Sequence, residues 1–557
     1  MKNIPIGEVL KEYGYIDDEQ LNIALNAQKE DRSMRLGEHL VRLGFITEEQ
    51  TLQALSDKLA EPIIPLGTID VNMEAVEKIP EPVAKKYNIF AYGLDETGNL
   101  MVVTNDPLNF YGIEDVRLVT GLNIKVALAT KNEVNNAIHY YYQELETRKV
   151  ARQVNSNVQK VNDDILDLFD ANEDDTPVVK LFNSLVSRGY TNNASDIHIE
   201  PFEDEILVRM RIDGMIVDFL KLNKSLLDSL VVRIKILSNL DIAEKRVPQD
   251  GHFVGIIDGI EINARVSIIP TIFGEKVVLR FLNTNARIVQ QNTFGMTPEN
   301  YKKICKMINM PHGVIYVTGP TGSGKTTTLY MILEELSKRQ INISTIEDPV
   351  EKRIDRVNQM QVNNMAGLTF ESGLRALLRQ DPDVIMVGET RDAETAAISV
   401  RASITGHLVF STLHTNDAVS AIVRLEDMGV EPYMVANSLV GVVAQRLVRT
   451  ICPHCKEKVL ASAADKVAVG EDIDYVYHGK GCPNCNNTGY KGRMAIHEII
   501  IIDSQVRKMI SAHADIDDIY AYIKESQQLV SLGDGALDLV KAGQTTVEEL
   551  QKVVVYL

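Results

Sequence analysis

The sequence predicts a multidomain α/β protein built from three or four folding units. Its 557 residues exceed what one hydrophobic core usually organises. An acid-rich stretch near residue 165 separates an amino-terminal part from the remainder, and apolar strands alternate with helices in the carboxy-terminal half. We expect boundaries at 1–145, 146–175, 176–283, 284–297 and 298–557, of which the second and fourth segments are linkers.

A glycine-rich motif of the form G-x-x-x-x-G-K-[ST] lies between an apolar strand at 314–317 and a helix that runs to about residue 336. Glycines let backbone N–H groups turn onto phosphate oxygens, and the helix N-terminus favours negative charge. Lys325 is expected to reach the β- and γ-phosphates, and Thr326 to bind Mg²⁺. The motif therefore predicts a nucleoside triphosphate site formed by Gly319, Pro320, Thr321, Gly322, Ser323, Gly324, Lys325, Thr326 and Thr327.

Two further strands of the same unit end in carboxylates. One runs from residue 383 to Glu389, and the other from residue 341 to Glu347. A lone acid at a strand end can be a helix cap. Two parallel strands that end in acids beside a phosphate loop favour catalysis, because their carboxylates lie near the metal and the attacking water. Glu389 is therefore a candidate for water orientation or Mg²⁺ contact.

Two histidines, His407 and His414, bracket the apolar run at 408–410. Isolated histidines are mostly structural. The strand between them could deliver both to the phosphate end of the sheet, although spacing alone does not prove it.

Four arginines lie on predicted strands of the unit at 176–283. Alternation at 206–212 buries one face and leaves Arg209 and Arg211 on the other, and Arg265 and Arg280 repeat the arrangement. Strand arginines opposite an apolar face are ordinarily surface residues. Beside a phosphate loop they could instead clamp phosphate, because guanidinium groups match its oxygens. The spacing leaves both interpretations open.

Four of the five cysteines form two C-x-x-C pairs, Cys452 with Cys455 and Cys482 with Cys485, with 26 residues between the pairs. Two such hairpins can present four thiolates tetrahedrally to Zn²⁺. A redox pair is the alternative. Four sulfur ligands leave no open coordination position, so we expect the zinc knuckle at 450–490 to be structural.

The amino terminus contains a duplication. Residues 7–25 recur at 37–55, with nine of nineteen positions identical. Each unit is predicted to be a helix, a glycine turn and a second helix capped by Asp17 or Thr47. A helical interaction module at 1–60 with a small α/β part after it is the simplest interpretation.

Between residues 161 and 179 there are seven acids and no base, which predicts an extended or mobile linker.

Composition excludes some classes of protein. The net charge of −19 argues against a broad nucleic-acid surface. No apolar run approaches the roughly 20 residues that span a bilayer, and no signal-peptide pattern opens the chain. We therefore expect a cytoplasmic protein that docks on a membrane protein.

Several longer motifs resemble those of the bacterial secretion ATPases that drive type II secretion and type IV pilus assembly, and most of all the PilB-type pilus extension motors. The resemblance covers about residues 176–510. Its motifs lie at 194–201 (ASDIHIEP), 209–214 (RMRIDG), 241–246 (DIAEKR), 274–280 (GEKVVLR), 346–351 (IEDPVE) and 406–415 (GHLVFSTLHT).

The resemblance implies a homo-hexameric ring with a RecA-like ATPase domain, a PAS-like second amino-terminal domain and ATP between them. It implies that Glu347 is the general base, that Glu389 is the carboxylate of a second acidic motif, and that both histidines belong to histidine motifs. It gives the four arginines the task of neutralising the transferred phosphoryl group. It also implies an inner-membrane platform protein as partner, and four-cysteine knuckles fit assembly rather than retraction motors.

The duplicated module resembles the MshEN-like domain that binds cyclic di-GMP in many of these ATPases. The second unit keeps Arg35-Leu36-Gly37 but has Lys58 where a glutamine is expected, and the first keeps Gln28 but begins Pro-Ile-Gly. Cyclic di-GMP binding and docking to pilus components are therefore alternatives.

Together these features predict an ATP-hydrolysing motor that powers type IV pilus assembly from the inner face of the cytoplasmic membrane. A type II secretion ATPase is the nearest alternative. A DNA-uptake or nucleic-acid translocase and a nucleotide-gated scaffold without turnover are alternatives from other classes.

Overall fold

A computed structural model describes residues 5–31, 34–67, 69–156, 176–282 and 294–555. The acids at 163–175 and most of the expected linker at 284–297 lie outside the described residues. Within the described residues, no helix is both long enough and apolar enough to cross a membrane.

The duplicated module folds as two helix–turn–helix units. The glycine turns are confirmed, since Gly14 and Gly44 have φ of 69° and 76°, and so are the caps, since the Asp17 and Thr47 side chains accept from the backbone N–H three residues on. The four helices bury a small apolar cluster between them. Their bounds are α1 Ile6–Glu12, α2 Asp18–Glu30, α3 Leu36–Arg42 and α4 Glu48–Leu59.

A small α/β unit completes the amino-terminal domain. Its sheet has the order β1-β2-β3, with β2 antiparallel to β1 and parallel to β3. The last helix runs to Ser156, past the expected boundary at residue 145. The elements are α5 Met73–Lys78, α6 Glu81–Tyr87, β1 Ile89–Leu94, β2 Leu100–Thr104, α7 Phe110–Thr120, β3 Ile124–Leu128 and α8 Lys131–Ser156.

The second domain is an antiparallel sheet with the order β6-β5-β4-β9-β8-β7. Its apolar face packs on two helices around one buried cluster, as the alternation predicts. The elements are α9 Pro177–Thr191, β4 Ala194–Pro201, β5 Glu205–Ile212, β6 Met215–Asn223, α10 Leu227–Leu237, β7 Gln249–Ile257, β8 Ile260–Thr271 and β9 Gly274–Phe281.

The carboxy-terminal domain is built on a seven-stranded sheet with the order β12-β11-β13-β14-β10-β15-β18. The first six strands run parallel and β18 runs antiparallel to β15. The central strands β10, β13 and β14 are buried along their whole length, as expected for a parallel sheet covered by helices on both faces.

The first elements of this domain surround the nucleotide motif. They are α11 Pro298–Ile308, β10 Gly313–Thr318, α12 Lys325–Leu336, β11 Ile343–Glu347, β12 Val357–Gln361, α13 Phe370–Leu377, β13 Val384–Val387, α14 Ala393–Ile404 and β14 Leu408–Leu413.

A cysteine-bearing insertion and a helical end follow. The insertion lies between β15 and β18, and a helical group that the sequence analysis did not resolve closes the chain. The elements are α15 Ser420–Asp427, α16 Pro432–Ser438, β15 Leu439–Ile451, β16 Lys456–Leu460, α17 Ala463–Val469, β17 Tyr475–Gly479, β18 Tyr490–Ile501, α18 Ser504–Ser511, α19 Ile516–Ser526, α20 Leu532–Lys541 and α21 Val547–Val555.

Candidate nucleotide-hydrolysis site

The glycine-rich loop joins β10 to α12, as the motif predicts. Gly319, Gly322 and Gly324 have φ of 146°, 80° and 85°, which residues with a β-carbon rarely adopt. A β-carbon on Gly319 would also lie 2.4 Å from the carbonyl oxygen of Gln445. The loop thus needs glycine both for its backbone conformation and for its close approach to β15.

Lys325 is the first residue of α12 and is buried. Its Nζ donates to the carbonyl oxygens of Gly319 and Pro320 at 2.7 and 3.1 Å. Burial lowers the pKa of Lys325 to about 8, an effect that Glu389 opposes and Arg446 reinforces. Thr326 follows it half-buried, and Thr327 is exposed.

Strand β15 contributes two residues here that were not assigned from the sequence, and one of them, Gln445, braces the loop. The Gln445 side chain donates to the Ser323 carbonyl oxygen at 2.8 Å and accepts from the Thr328 hydroxyl at 2.7 Å. Arg446 is buried beside them, and burial lowers its pKa. A polar pair within an otherwise apolar strand was the signal that could have identified them.

Glu389 follows β13 at the carboxyl end of the sheet, on the side of the phosphate loop. Its carboxylate lies 2.6 Å from Arg391 Nε and 4.0 Å from His414 Nε2, and its side chain is 15 % exposed. Burial and the charge of Lys325 lower the pKa of His414. A carboxylate, a neutral imidazole and the phosphate-loop lysine therefore meet at one end of the sheet.

Glu347 ends β11, which pairs with β13 in parallel, so the two predicted strands are neighbours in the sheet. Its carboxylate is 2 % exposed and accepts hydrogen bonds from Tyr330, from Thr345 at 2.5 Å and from Gln359 at 3.0 Å. Both carboxylate oxygens are thus engaged within the chain. Glu347 is placed beside the site, but no oxygen of it is left without a donor.

Glu351 lies four residues further on, lines the cavity described below and was not assigned a role from the sequence. Burial raises the pKa of its carboxyl group, and Glu347 raises it further, whereas Arg280 of the second domain lowers it. A partly buried carboxyl with a shifted pKa in a cavity is the signature of a functional group.

The suggestion that His407 lies at the phosphate end of the sheet is wrong within one chain. Strands β10 and β14 run parallel, with Gly313 opposite Leu408 and Thr318 opposite Leu413. His407 therefore lies at the amino end of β14, a whole strand away from the phosphate loop, where its Nδ1 is 2.9 Å from the Ala402 carbonyl oxygen. Only His414, at the other end, reaches the loop.

Three of the four arginines form one row across the second domain. Arg211 lies opposite Asp196, Asp196 opposite Arg280, and Arg280 opposite Arg265 on successive strands. Asp196 pairs with Arg280 at 2.8 Å and with Arg211 at 3.8 Å. Arg265 is exposed.

Arg209 is held apart from this row by Glu200, whose carboxylate accepts from Arg209 Nε at 2.7 Å. The charge of Arg280 acts on Glu351 of the ATPase domain and lowers its pKa.

All three domains line a central cavity of about 1520 Å³. The ATPase domain contributes the start of α12 and Glu351. The second domain contributes the turn between β5 and β6, where Asp213 accepts from the Gly492 N–H at 2.7 Å. The first domain contributes α8. The cavity borders the end of the glycine-rich loop at Gly324 and Thr327.

The four cysteines of the insertion converge as predicted. Their sulfur atoms lie within 4.8 Å of one another, and three of the pairs are 3.7–3.8 Å apart. Four sulfurs about 2.3 Å from one metal ion at tetrahedral angles are about 3.8 Å apart, so the cluster fits Zn²⁺. Cys305 lies outside it, on α11.

The segment expected to bind cyclic di-GMP is engaged in contacts of its own. Arg35 Nη1 pairs with Asp106 Oδ1 at 2.8 Å, which ties α3 to the α/β unit. Leu36 is half-buried, and a β-carbon on Gly37 would lie 2.7 Å from the Thr51 side chain. Close helix packing thus explains Gly37 without a ligand, whereas the Arg35 side chain remains half-exposed.

Comparisons with known protein families cover most of the chain. The family described as Type II/IV secretion system protein matches residues 171–552, and the MshEN domain matches residues 59–148. The second match lies on the α/β unit, not on the duplicated helices where the sequence analysis had placed the likeness.

Relatives agree with these matches. The Type II secretion system ATPase E of Vibrio cholerae is 40 % identical over 492 residues, 86 % of this chain and 97 % of its own. The Type IV pilus assembly ATPase PilB of Myxococcus xanthus is 37 % identical over 562 residues, 98 % of each chain. The solved structure of the ATPase DotB of Legionella pneumophila, 21 % identical, covers 70 % of this chain and 98 % of its own with a TM-score of 0.51, and so shares the fold. The chain belongs to the type II/type IV secretion ATPase family and is an ATP-hydrolysing enzyme.

Proposed function

We propose that this chain is the hexameric motor that powers type IV pilus assembly through an inner-membrane platform protein, at the cytoplasmic face of the membrane. The observation that carries this choice is the extent of likeness. The pilus assembly ATPase matches 98 % of the chain, whereas the type II secretion ATPase of Vibrio cholerae matches 86 %. Identity is slightly higher to the secretion ATPase, which keeps that function as the second candidate.

The chemistry proposed for hydrolysis begins with binding. The glycine-rich loop and Lys325 hold the β- and γ-phosphates, and Arg280 approaches from the second domain. Mg²⁺, held by Thr326 and Glu389, would neutralise charge on the phosphates. Phosphoryl transfer needs charge and positioning more than covalent chemistry, so a seam between two domains suits it.

Glu389 is the group we assign to orient the attacking water. It lies beside Lys325 and His414 and is partly exposed, whereas both oxygens of Glu347 are held by other side chains. The role of general base suggested for Glu347 stays a prediction, and Glu351 is the better-placed alternative because it lines the cavity.

Glu389→Gln tests this assignment. We expect the variant to bind ATP with an affinity within about threefold of wild type and to lose at least about 100-fold in turnover, because glutamine keeps an oxygen for Mg²⁺ but has no carboxylate to orient the attacking water. Phosphate release and binding of a fluorescent ATP analogue are measured in parallel. Turnover at the wild-type rate would contradict the role of Glu389.

The presence of pili on the cell surface distinguishes a pilus assembly motor from a type II secretion motor. In a strain that lacks this chain, we expect pili to be absent by electron microscopy while exoprotein secretion is unchanged. Complementation with Lys325→Ala should fail. Loss of secretion with normal pili would instead assign the chain to type II secretion, and strong stimulation of turnover by DNA would favour a translocase.

Assembly has its own test. Glu389→Gln with ATP should retain nucleotide and give a particle of six chains by mass photometry. A monomer under all nucleotide conditions would contradict the ring.

For the amino-terminal domain we propose regulation by cyclic di-GMP, supported by the match of residues 59–148 to the MshEN domain; Arg35 precedes this match but pairs with Asp106 within it and is half-exposed. Calorimetric titration of the full chain should show binding that Arg35→Ala weakens at least about tenfold. Absence of heat at high micromolar ligand would leave docking to pilus components as the function of this domain.

A further inference from the structure

Tyr330 lies on α12, five residues after Lys325, and is 5 % exposed. Its hydroxyl faces the end of β11 and the segment that follows. It donates to Oε2 of Glu347 and accepts the backbone N–H of Glu351 at 3.0 Å. One phenol oxygen therefore joins the helix that begins with the phosphate-loop lysine to two points of the acidic segment 347–351.

The direction of these hydrogen bonds follows from their partners. A peptide N–H only donates, so the phenol oxygen accepts from Glu351. The other oxygen of Glu347 already accepts from Thr345 and Gln359, as an ionised carboxylate does, so the phenol proton points to Glu347. Burial, together with the hydrogen bond to Glu347, raises the pKa of Tyr330, which keeps this proton in place throughout the physiological range.

We infer that Tyr330 is a positioning residue for hydrolysis, which fixes Glu347 and the backbone of Glu351 relative to the phosphate loop. The inference rests on the proposed part of the acidic segment in hydrolysis. Glu351 faces the central cavity and the charge of Arg280, so a shift of its backbone would move the carboxyl that faces the second domain. In the proposed mechanism ATP is held by the loop and Lys325, whereas the hydrogen bonds that the Tyr330 hydroxyl makes within the described residues go to the acidic segment.

Tyr330→Phe removes only the hydroxyl and leaves two buried groups, Glu347 Oε2 and the Glu351 N–H, without that partner. We expect kcat to fall about 10- to 100-fold while KM for ATP stays within about twofold, because positioning acts on the transition state and not on ground-state binding.

Tyr142→Phe is the matched control. It also deletes a buried phenol hydroxyl, which donates to the Ile79 carbonyl oxygen at 2.7 Å, but it lies in the first domain. We expect it to leave kcat and KM unchanged.

A double-mutant cycle with Glu347→Gln distinguishes action through Glu347 from a general loss of structure. Loss of the Tyr330 hydroxyl should slow the Glu347→Gln variant by less than it slows the wild type, because only the hydrogen bond to the Glu351 N–H then remains to be lost. Fully additive losses would overturn the inference. So would a kcat of Tyr330→Phe within twofold of wild type, or a rise in KM without a fall in kcat.

Hydrogen exchange of the unmodified full chain gives a measurement that needs no variant to fold. The Glu351 amide is bonded to Tyr330, so this amide should exchange slowly when overlapping peptides resolve it from Val350 and Ile354, whose amides bond other side chains. Complete exchange at the shortest time would overturn the inference. Glu389→Gln is assayed alongside: wild-type turnover in that variant would sink the proposed function, whereas its inactivity with a fully active Tyr330→Phe would sink only the inference about Tyr330.

Discussion

The proposed binding of phosphate by Lys325 and the burial of this residue make opposite demands on its charge. Binding phosphate requires the ammonium to be charged, whereas burial in α12 makes the charged form less stable and lowers its pKa to about 8. Its hydrogen bonds to Gly319 and Pro320 supply carbonyl oxygens in place of water. The charge on this lysine is therefore sensitive to pH in a range where an exposed lysine would not respond.

We predict that ATP affinity falls as pH rises from 7 to 9. The chain without nucleotide loses the Lys325 proton as pH passes through about 8, and the protonated form binds the phosphates, so binding above that pH requires proton uptake. At pH 9 roughly one lysine in ten is protonated, which gives about tenfold weaker binding. Isothermal titration in two buffers of different ionisation enthalpy measures both the affinity and the proton uptake.

Lys325→Arg is the comparison for that experiment. A guanidinium keeps its charge throughout this range, so the profile of the variant should be flat even where its affinity is lower. A wild-type affinity that stays constant between pH 7 and pH 9 would contradict the lowered pKa.

Residues of the phosphate loop could be predicted because the motif, its strand and its helix are adjacent in the sequence. Glu347 and Glu389 could be predicted for a related reason, since parallel strands bring their carboxyl ends to one edge of the sheet. A polar pair in β15 marks Gln445 as unusual, but the partners of Gln445 and Tyr330 could not be predicted. Each acts on a partner far away in the chain or on another element, and local periodicity carries no information about such pairs.

At the scale of elements, strands marked by alternation or by an apolar run were found, as β5, β10 and β13 show. The carboxy-terminal helices α18–α21 were not resolved from sequence, and α8 extends past its expected end. His407 was misplaced because it precedes β14, whereas His414 follows it. The two histidines therefore lie at opposite ends of one strand, and only the carboxyl end is near the phosphate loop.

The cysteine insertion is the element whose fold depends most on a ligand. Strands β16 and β17 form a two-stranded ribbon, and such a ribbon is marginal alone in water. The cysteine pairs lie directly after β15 and shortly before β18, so a bound metal would close the insertion at its base. Burial of four sulfurs in one cluster is consistent with a metal holding the two turns together.

We predict one zinc ion per chain and loss of the insertion's structure without it. Cys455→Ser with Cys485→Ser should reduce bound zinc to less than about 0.1 per chain and lower the melting temperature by several degrees, since structural zinc contributes directly to folding. Elemental analysis and calorimetry give the two values. Cys305→Ser is the control, because this cysteine lies outside the cluster and its loss should change neither.

A folded wild-type chain free of zinc after purification without chelators would contradict the structural role. Reversible oxidation of the pairs under mild conditions would instead support the redox alternative.

At the scale of the whole molecule, one arginine connects the domains. Arg188 of α9 is almost fully buried, donates to the Tyr140 carbonyl oxygen at 2.8 Å and lies 4.3 Å from the centre of the Tyr140 ring. It also pairs with Glu144 at 3.6 Å. The Tyr140 hydroxyl in turn donates to Asn486, beside the last cysteine of the insertion, at 3.1 Å. A continuous set of contacts thus runs from the second domain through α8 to the cysteine insertion, along the wall of the central cavity.

We predict that Arg188→Ala separates the unfolding of the first domain from that of the rest. The variant loses a hydrogen bond, a ring contact and a mostly buried charge pair, which together cost about 2–4 kcal/mol. Calorimetry should then show two transitions, and hydrogen exchange in α8 should accelerate. Tyr140→Phe removes only the hydroxyl bond to Asn486 and should cost less than about 1 kcal/mol. Comparing the two variants shows whether the contacts between α9 and α8, or the contact between α8 and the insertion, contribute more to stability. A single transition at the wild-type temperature for Arg188→Ala would mean that the domains are joined elsewhere, and a signal from the first domain would then need another route to the nucleotide.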